Sequence, residues 1–67
     1  MVNNNLKVWR AKFDMTQDKL AKKVGVSRQT IIAVEKGSYN PSVELALKIA
    51  KIFNTRVDEI FYLREEK

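Results

Sequence analysis

Only two glycines occur in this chain, Gly25 and Gly37, and the stretch they enclose, V-S-R-Q-T-I-I-A-V-E-K, has few ways to fold. Ser27 can cap a helix by accepting from a backbone N–H two or three residues on. Gly37 would end that helix just after Lys36. Within it Ile31 and Val34 share one face, as residues three apart do. Ile32 and Ala33 fall on the other face, beside Arg28, Gln29 and Lys36, and no acid stands among them. One guanidinium, one amide, two aliphatic groups and an ammonium therefore point outward together. Taken alone, Ile32 is also compatible with a single exposed aliphatic, which is common on protein surfaces.

The preceding residues supply a partner for the inward face. Thr16 can cap a second helix whose apolar positions are Leu20, Ala21 and Val24. It stops at Gly25, where a positive φ costs glycine least. Leu20, Val24, Val26, Ile31 and Val34 then make a small shared core, with Ala21 at the crossing, where a larger side chain would hold the helices apart. Two helices joined by a three- or four-residue turn at a steep angle form a helix-turn-helix.

A first helix is expected from Leu6 to about Asp14, with Leu6, Trp9 (or Arg10) and Phe13 on one side; the asparagines before it do not favour a helix interior. The loop Ser38-Tyr39-Asn40-Pro41 leads to a fourth helix from about Ser42 to Phe53, since proline disfavours helix before it and suits a helix start. That helix is apolar at Val43, Leu45, Ala46, Leu47, Ile49, Ala50, Ile52 and Phe53, so it is expected to be central and mostly surrounded. Asn54 suits a left-handed stop, and a short fifth helix covers about Val57 to Phe61. Ile60-Phe61-Tyr62-Leu63 is too apolar for a free tail. It can extend the last helix, pair as a strand with the Val2 segment, or join a dimer contact. The class is all-α, one domain over residues 1–67, with five short helices and room for a small terminal β pairing.

Composition removes whole classes of function. Cysteine and histidine are both absent, so disulfides, thiolate sites and the commonest metal ligand and acid–base group are excluded. No glycine-rich phosphate loop or convergent carboxylate pair supports an enzyme, and no metal or cofactor is expected. No apolar run approaches the roughly 18 residues of a membrane span, and no signal peptide opens the chain, so a cytoplasmic, soluble protein is expected. The net charge of +5 is one-sided. Lys7, Arg10, Lys12, Lys19, Lys22, Lys23, Arg28 and Lys36 face only Asp14, Asp18 and Glu35 between residues 7 and 36, and the rest of the chain is balanced. Such a surface favours a polyanion, although solvated lysines that only keep a protein soluble look the same in composition.

The run T-Q-D-K-L-A-K-K-V-G-V-S-R-Q-T-I-I-A-V-E-K-G-S-Y-N-P-S-V-E-L-A-L-K-I-A-K-I-F resembles the Cro/cI-type helix-turn-helix regulators, the xenobiotic-response-element family, most closely its short stand-alone members. The resemblance covers about Leu6 to Phe61 and implies a five-helix lambda-repressor-like domain without a small-molecule effector domain. It implies that the third helix lies in the major groove and the second crosses the backbone. Arg28 and Gln29, with Thr30, would then read bases, and Ile32 and Ala33 would touch thymine methyls, because arginine pairs with guanine, glutamine with adenine and aliphatic groups with the methyl. Gln17, Ser27, Lys36, Ser38, Tyr39 and Asn40 would serve phosphates. Arg10 and Glu35 occupy positions of a partly buried ion pair, while Lys7, Lys12, Lys22 and Lys23 read as solvated charges. Asp14 stands where the family often has glycine, Lys19 replaces the usual glutamate of the capping box, and Phe13 is aromatic where the family is usually charged.

The expected function is that of a transcriptional regulator, a repressor that binds a pseudo-palindromic double-stranded DNA operator as a homodimer. Val57, Ile60, Phe61, Tyr62 and Leu63 are the expected dimer contact. The rival expectation is an antitoxin-like, partner-binding module whose DNA binding is only autoregulatory.

Overall fold

Hydroxyl side chains start three of the helices. Thr16 accepts from the Lys19 N–H at 3.0 Å, Ser27 from Thr30 at 3.1 Å and Ser42 from Leu45 at 3.1 Å. Each such cap contributes about 1 kcal/mol. The computed structural model describes residues 2–63. Its order is β1 (Val2–Asn4), α1 (Leu6–Lys12), α2 (Gln17–Val24), α3 (Arg28–Lys36), α4 (Val43–Ile52), α5 (Val57–Ile60) and β2 (Phe61–Leu63). The strands pair antiparallel with Val2 opposite Leu63 and Asn4 opposite Phe61, so the apolar tail takes the strand pairing among its three possible fates.

Four helix ends close in the same way. Asp14, Gly25, Gly37 and Asn54 are left-handed, at φ 53°, 77°, 80° and 54°. The residue after each sends its N–H back five residues: Met15 to Arg10, Val26 to Ala21, Ser38 to Ala33 and Thr55 to Ala50, at 2.9–3.1 Å. This is the bond that satisfies otherwise orphaned carbonyls at a helix end. Asp14 thus takes the left-handed conformation that glycine adopts most easily; aspartate and asparagine tolerate this backbone better than other side chains. The first helix is accordingly shorter than expected and ends at Lys12.

Leu6, Leu20, Ala21, Val24, Ile31, Val34, Leu45, Ala46, Ile49, Ala50, Phe53, Ile60 and Phe61 form one core, with Trp9, Met15 and Val26 packed against it. Phe13 is half out of it, yet its ring meets Phe53 edge to face at a centroid distance of 5.1 Å. Asn4 ties β1 in: its Oδ1 accepts from the Leu6 N–H at 3.0 Å and its Nδ2 donates to the Val34 carbonyl at 2.8 Å. One expectation fails. Only Leu45, Ala46, Ile49 and Ala50 of α4 are buried, whereas Val43 and Leu47 are 77% and 55% exposed. They lie one turn apart, and the described residues leave that side largely uncovered.

A charged clamp holds α1 to α3. Arg10 Nε donates to Glu35 Oε2 at 2.6 Å and Nη2 to Oε1 at 3.1 Å, while Nη1 reaches the Met15 carbonyl at 3.0 Å. The two side chains are 14% and 8% exposed. A forked, partly desolvated pair of this kind is costly to halve, because the remaining charge is left without its partner.

Two outcomes follow for urea unfolding. Gly25→Ala lowers stability by about 1 kcal/mol and Gly25→Asn by less. A Cβ added at Gly25 would meet no heavy atom within 4 Å, so the backbone angle alone carries the cost; equal losses for both variants would contradict this. Glu35→Ala costs about 3 kcal/mol, and the double variant Arg10→Met, Glu35→Leu costs less than that single change.

Candidate nucleic-acid interface

α3 divides as its spacing requires. Ile31 and Val34 are 0% and 1% exposed, locked against α2, while Arg28, Gln29 and Lys36 are exposed and Ile32 and Ala33 half-buried on the opposite side. The backbone that carries the outward face therefore rests directly on the core beneath it. Glu35 is the one acid on this helix, and Arg10 neutralises it from the side. No carboxylate stands among the outward residues.

The front of the helix spends some polar groups on itself. Ser27 Oγ accepts the Thr30 N–H and lies 3.0 Å from Thr30 Oγ1, so both hydroxyls belong to the cap. Arg28 and Gln29 make no side-chain hydrogen bond within the described residues, and both are exposed. At the far end Ser38 Oγ donates to the Ala33 carbonyl at 3.2 Å. Tyr39 and Asn40 are exposed in the following loop and line neither cleft beside α3.

Gln17 opens α2 and donates from Nε2 to Glu35 Oε1 at 3.1 Å. The Arg10–Glu35 clamp therefore fixes its side chain, which lies between two clefts. One, of about 510 Å³, is lined by Lys7, Arg10, Thr16, Gln17, Asp18 and Arg28. The other, of about 440 Å³, is lined by Lys7, Val8, Gln17, Ile32 and Lys36 among others. Lys7 borders both. By sequence Lys7 reads as a solvated charge, yet it stands three residues before Arg10 and so shares the helix face that meets α3. That spacing, combined with the Arg10–Glu35 pairing, is the signal that marks it. Arg28, Lys7 and Lys36 thus bring three cations to the edges of the α3 face, near the N-terminus of α2, where backbone N–H groups favour anions.

The expected dimer residues separate. Ile60 and Phe61 are 0% and 7% exposed; their side chains complete the core of their own chain and are not free for a second copy. Val57 is half-buried, and Tyr62 and Leu63 remain exposed at 48% and 75%. No group of acids suited to a metal ion occurs among the described residues, and no helix there is long and apolar enough to cross a membrane.

Comparisons with known proteins agree with this geometry. A helix-turn-helix family model matches residues 6–60. An uncharacterized HTH-type transcriptional regulator of Archaeoglobus fulgidus is 53% identical over 66 residues, which are 98% of this chain and 93% of that protein. The cryptic phage CTXphi transcriptional repressor RstR of Vibrio cholerae is 30% identical over 60 residues, 90% of this chain and 54% of that protein. A crystal structure of a Bacteroides fragilis protein superposes with a TM-score of 0.82 at 27% identity, covering 92% of this chain and all of that one. Fold, spacing and relatives converge: the chain belongs to the Cro/cI-type helix-turn-helix family of DNA-binding transcriptional regulators.

Proposed function

We propose that this regulator is a repressor that reads a pseudo-palindromic operator in double-stranded DNA as a homodimer. The observation that carries the reading is the acid-free outward face of α3, which rests on a buried counterpart and has cations at its margins. Arg28 and Gln29 are the base readers, with Thr30 beside them and Ile32 and Ala33 meeting thymine methyls. Lys36 and Lys7 grip phosphates on either side. Gln17 presents its backbone N–H and the remainder of its amide to a phosphate, while Ser27, Ser38, Tyr39 and Asn40 provide further backbone contacts at the two ends of α3. The name of RstR as a repressor supports the direction of control.

Exposed apolar residues support a dimer contact on the side of α4 and β2. Val43 and Leu47 on α4 and Leu63 on β2 are exposed apolar groups. Leu63 shares a sheet face with its partner Val2, and Val2, Val43, Val57 and Phe61 line one apolar cavity of about 200 Å³. A second copy seated on this side, with Tyr62 at its edge, would cover Val43, Leu47 and Leu63. Two-fold symmetry would then set the two α3 helices about 34 Å apart on successive turns of DNA.

Selection from random duplexes at physiological salt tests the reading. A two-fold symmetric motif is expected among the retained sequences, and retention without enrichment would reduce the protein to a phosphate binder. Arg28→Ala should weaken binding to the selected motif by about 1–3 kcal/mol and relax preference at one base pair; an equal loss on random DNA would remove Arg28 from base reading. In sedimentation, Leu47→Glu should convert a dimer into a folded monomer and lower operator affinity. A wild-type chain that sediments as a monomer at tens of micromolar would refute the dimer.

A further inference from the structure

Away from α3, the C-terminal halves of α2 and α4 meet around another opening. We propose that this cleft docks an acidic, amphipathic segment of a partner protein, on a face separate from the DNA reader. The cleft has a volume of about 370 Å³, with Lys22, Lys23, Lys48 and Lys51 on its rim and Val24 and Ile52 beneath them. It shares no residue with either cleft beside α3, so a partner here would leave the outward face of α3 uncovered.

Lysines in the last turn of a helix complement its dipole, and that accounts in part for Lys22, Lys23 and Lys51. It does not account for Lys48, nor for the convergence of two such ends around one opening. Internal acids neutralise the group only partly. Lys22 meets Asp18 at 3.4 Å and Lys48 meets Glu44 at 3.2 Å, both pairs along their own helices with side chains more than half exposed. Solvated pairs of this kind are weak and easily exchanged. Lys23 and Lys51 have no acidic partner among the described residues.

The apolar floor decides the class of partner. A second DNA duplex would offer phosphates to the lysines but nothing to the half-buried Ile52, which lies over the core residue Val24. A peptide with carboxylates flanking an apolar side chain satisfies both, its charges on the rim and its aliphatic group on the floor. Such complementarity sets specificity and speeds encounter. The partner is therefore an acidic protein segment.

An NMR titration of the ¹⁵N-labelled protein tests this with two probes: a synthetic helical peptide with glutamates on one face and leucines on the other, and a random-sequence duplex. The peptide should shift backbone amides of Lys22–Gly25 and Lys48–Ile52 and leave those of α3 in place, whereas the duplex should do the reverse. Lys23→Gln with Lys51→Gln should weaken peptide binding by about tenfold and duplex binding by no more than about twofold, with an unchanged circular dichroism spectrum. Peptide-induced shifts centred on α3, or equal peptide affinity for the double variant, would overturn the proposal. Duplex-induced shifts in the α2–α4 cleft would replace it with a second DNA site.

Discussion

The charged restraint on the orientation of α3 is a clamp, the guanidinium of Arg10 closed on the carboxylate of Glu35, beside the amide of Asn4 on the Val34 carbonyl. Hydrophobic burial is non-directional, so Ile31 and Val34 fix which face of α3 meets α2 without adding an angular restraint of their own. The forked pair adds one, because both hydrogen bonds weaken steeply as the angle between donor and acceptor departs from line. The same guanidinium also holds the Met15 carbonyl, just past the left-handed turn at Asp14, and the same carboxylate holds Gln17. One pair of side chains thus links the end of α1, the start of α2 and the rotation of α3.

Such a device matters in a chain this small. A domain of this length buries only about 60% of its unfolded surface, so its core alone leaves little margin. The structure compensates locally. Three hydroxyl caps start helices, and four left-handed residues end them with the same backward hydrogen bond. The strand pair then joins the two ends of the described chain, Val2 to Leu63, and fastens them over the core through Phe61. Most of these contributions are local, so they reinforce the elements that the longer-range packing must bring together.

The same distinction explains what is legible in the sequence. Positions such as Ile31 and Val34 are legible because spacing within one helix assigns them to one face, and the caps at Thr16 and Ser27 because their partners lie three residues on. The pairing of Arg10 with Glu35 is legible only through family resemblance, since nothing in periodicity joins α1 to α3. Gln17 reads as free for a phosphate; that its amide is held by Glu35 depends on the same non-local geometry. Ile60 and Phe61 stand out as needing cover, but apolarity does not reveal whether the cover comes from the same chain. Val43 and Leu47 are the converse case: they look like core because α4 is apolar almost all round, and only the folded chain shows that its described elements run out before covering them.

The division of α3 has a consequence for how such a regulator acquires a new operator. Its outward residues, Arg28, Gln29, Ile32, Ala33 and Lys36, touch water or lie at the edge of the core, and exposed substitutions away from special features usually change stability by less than about 0.5 kcal/mol. Their inward neighbours Ile31 and Val34 are fully enclosed, and truncating residues like these costs several times more. On the proposed reading of DNA by α3, base preference can therefore vary at the outward positions while the fold stays intact. Glu35 is the exception, because it stands between the two faces and carries the clamp. A change there would alter where the whole helix lies, and would shift every outward residue of α3 at once.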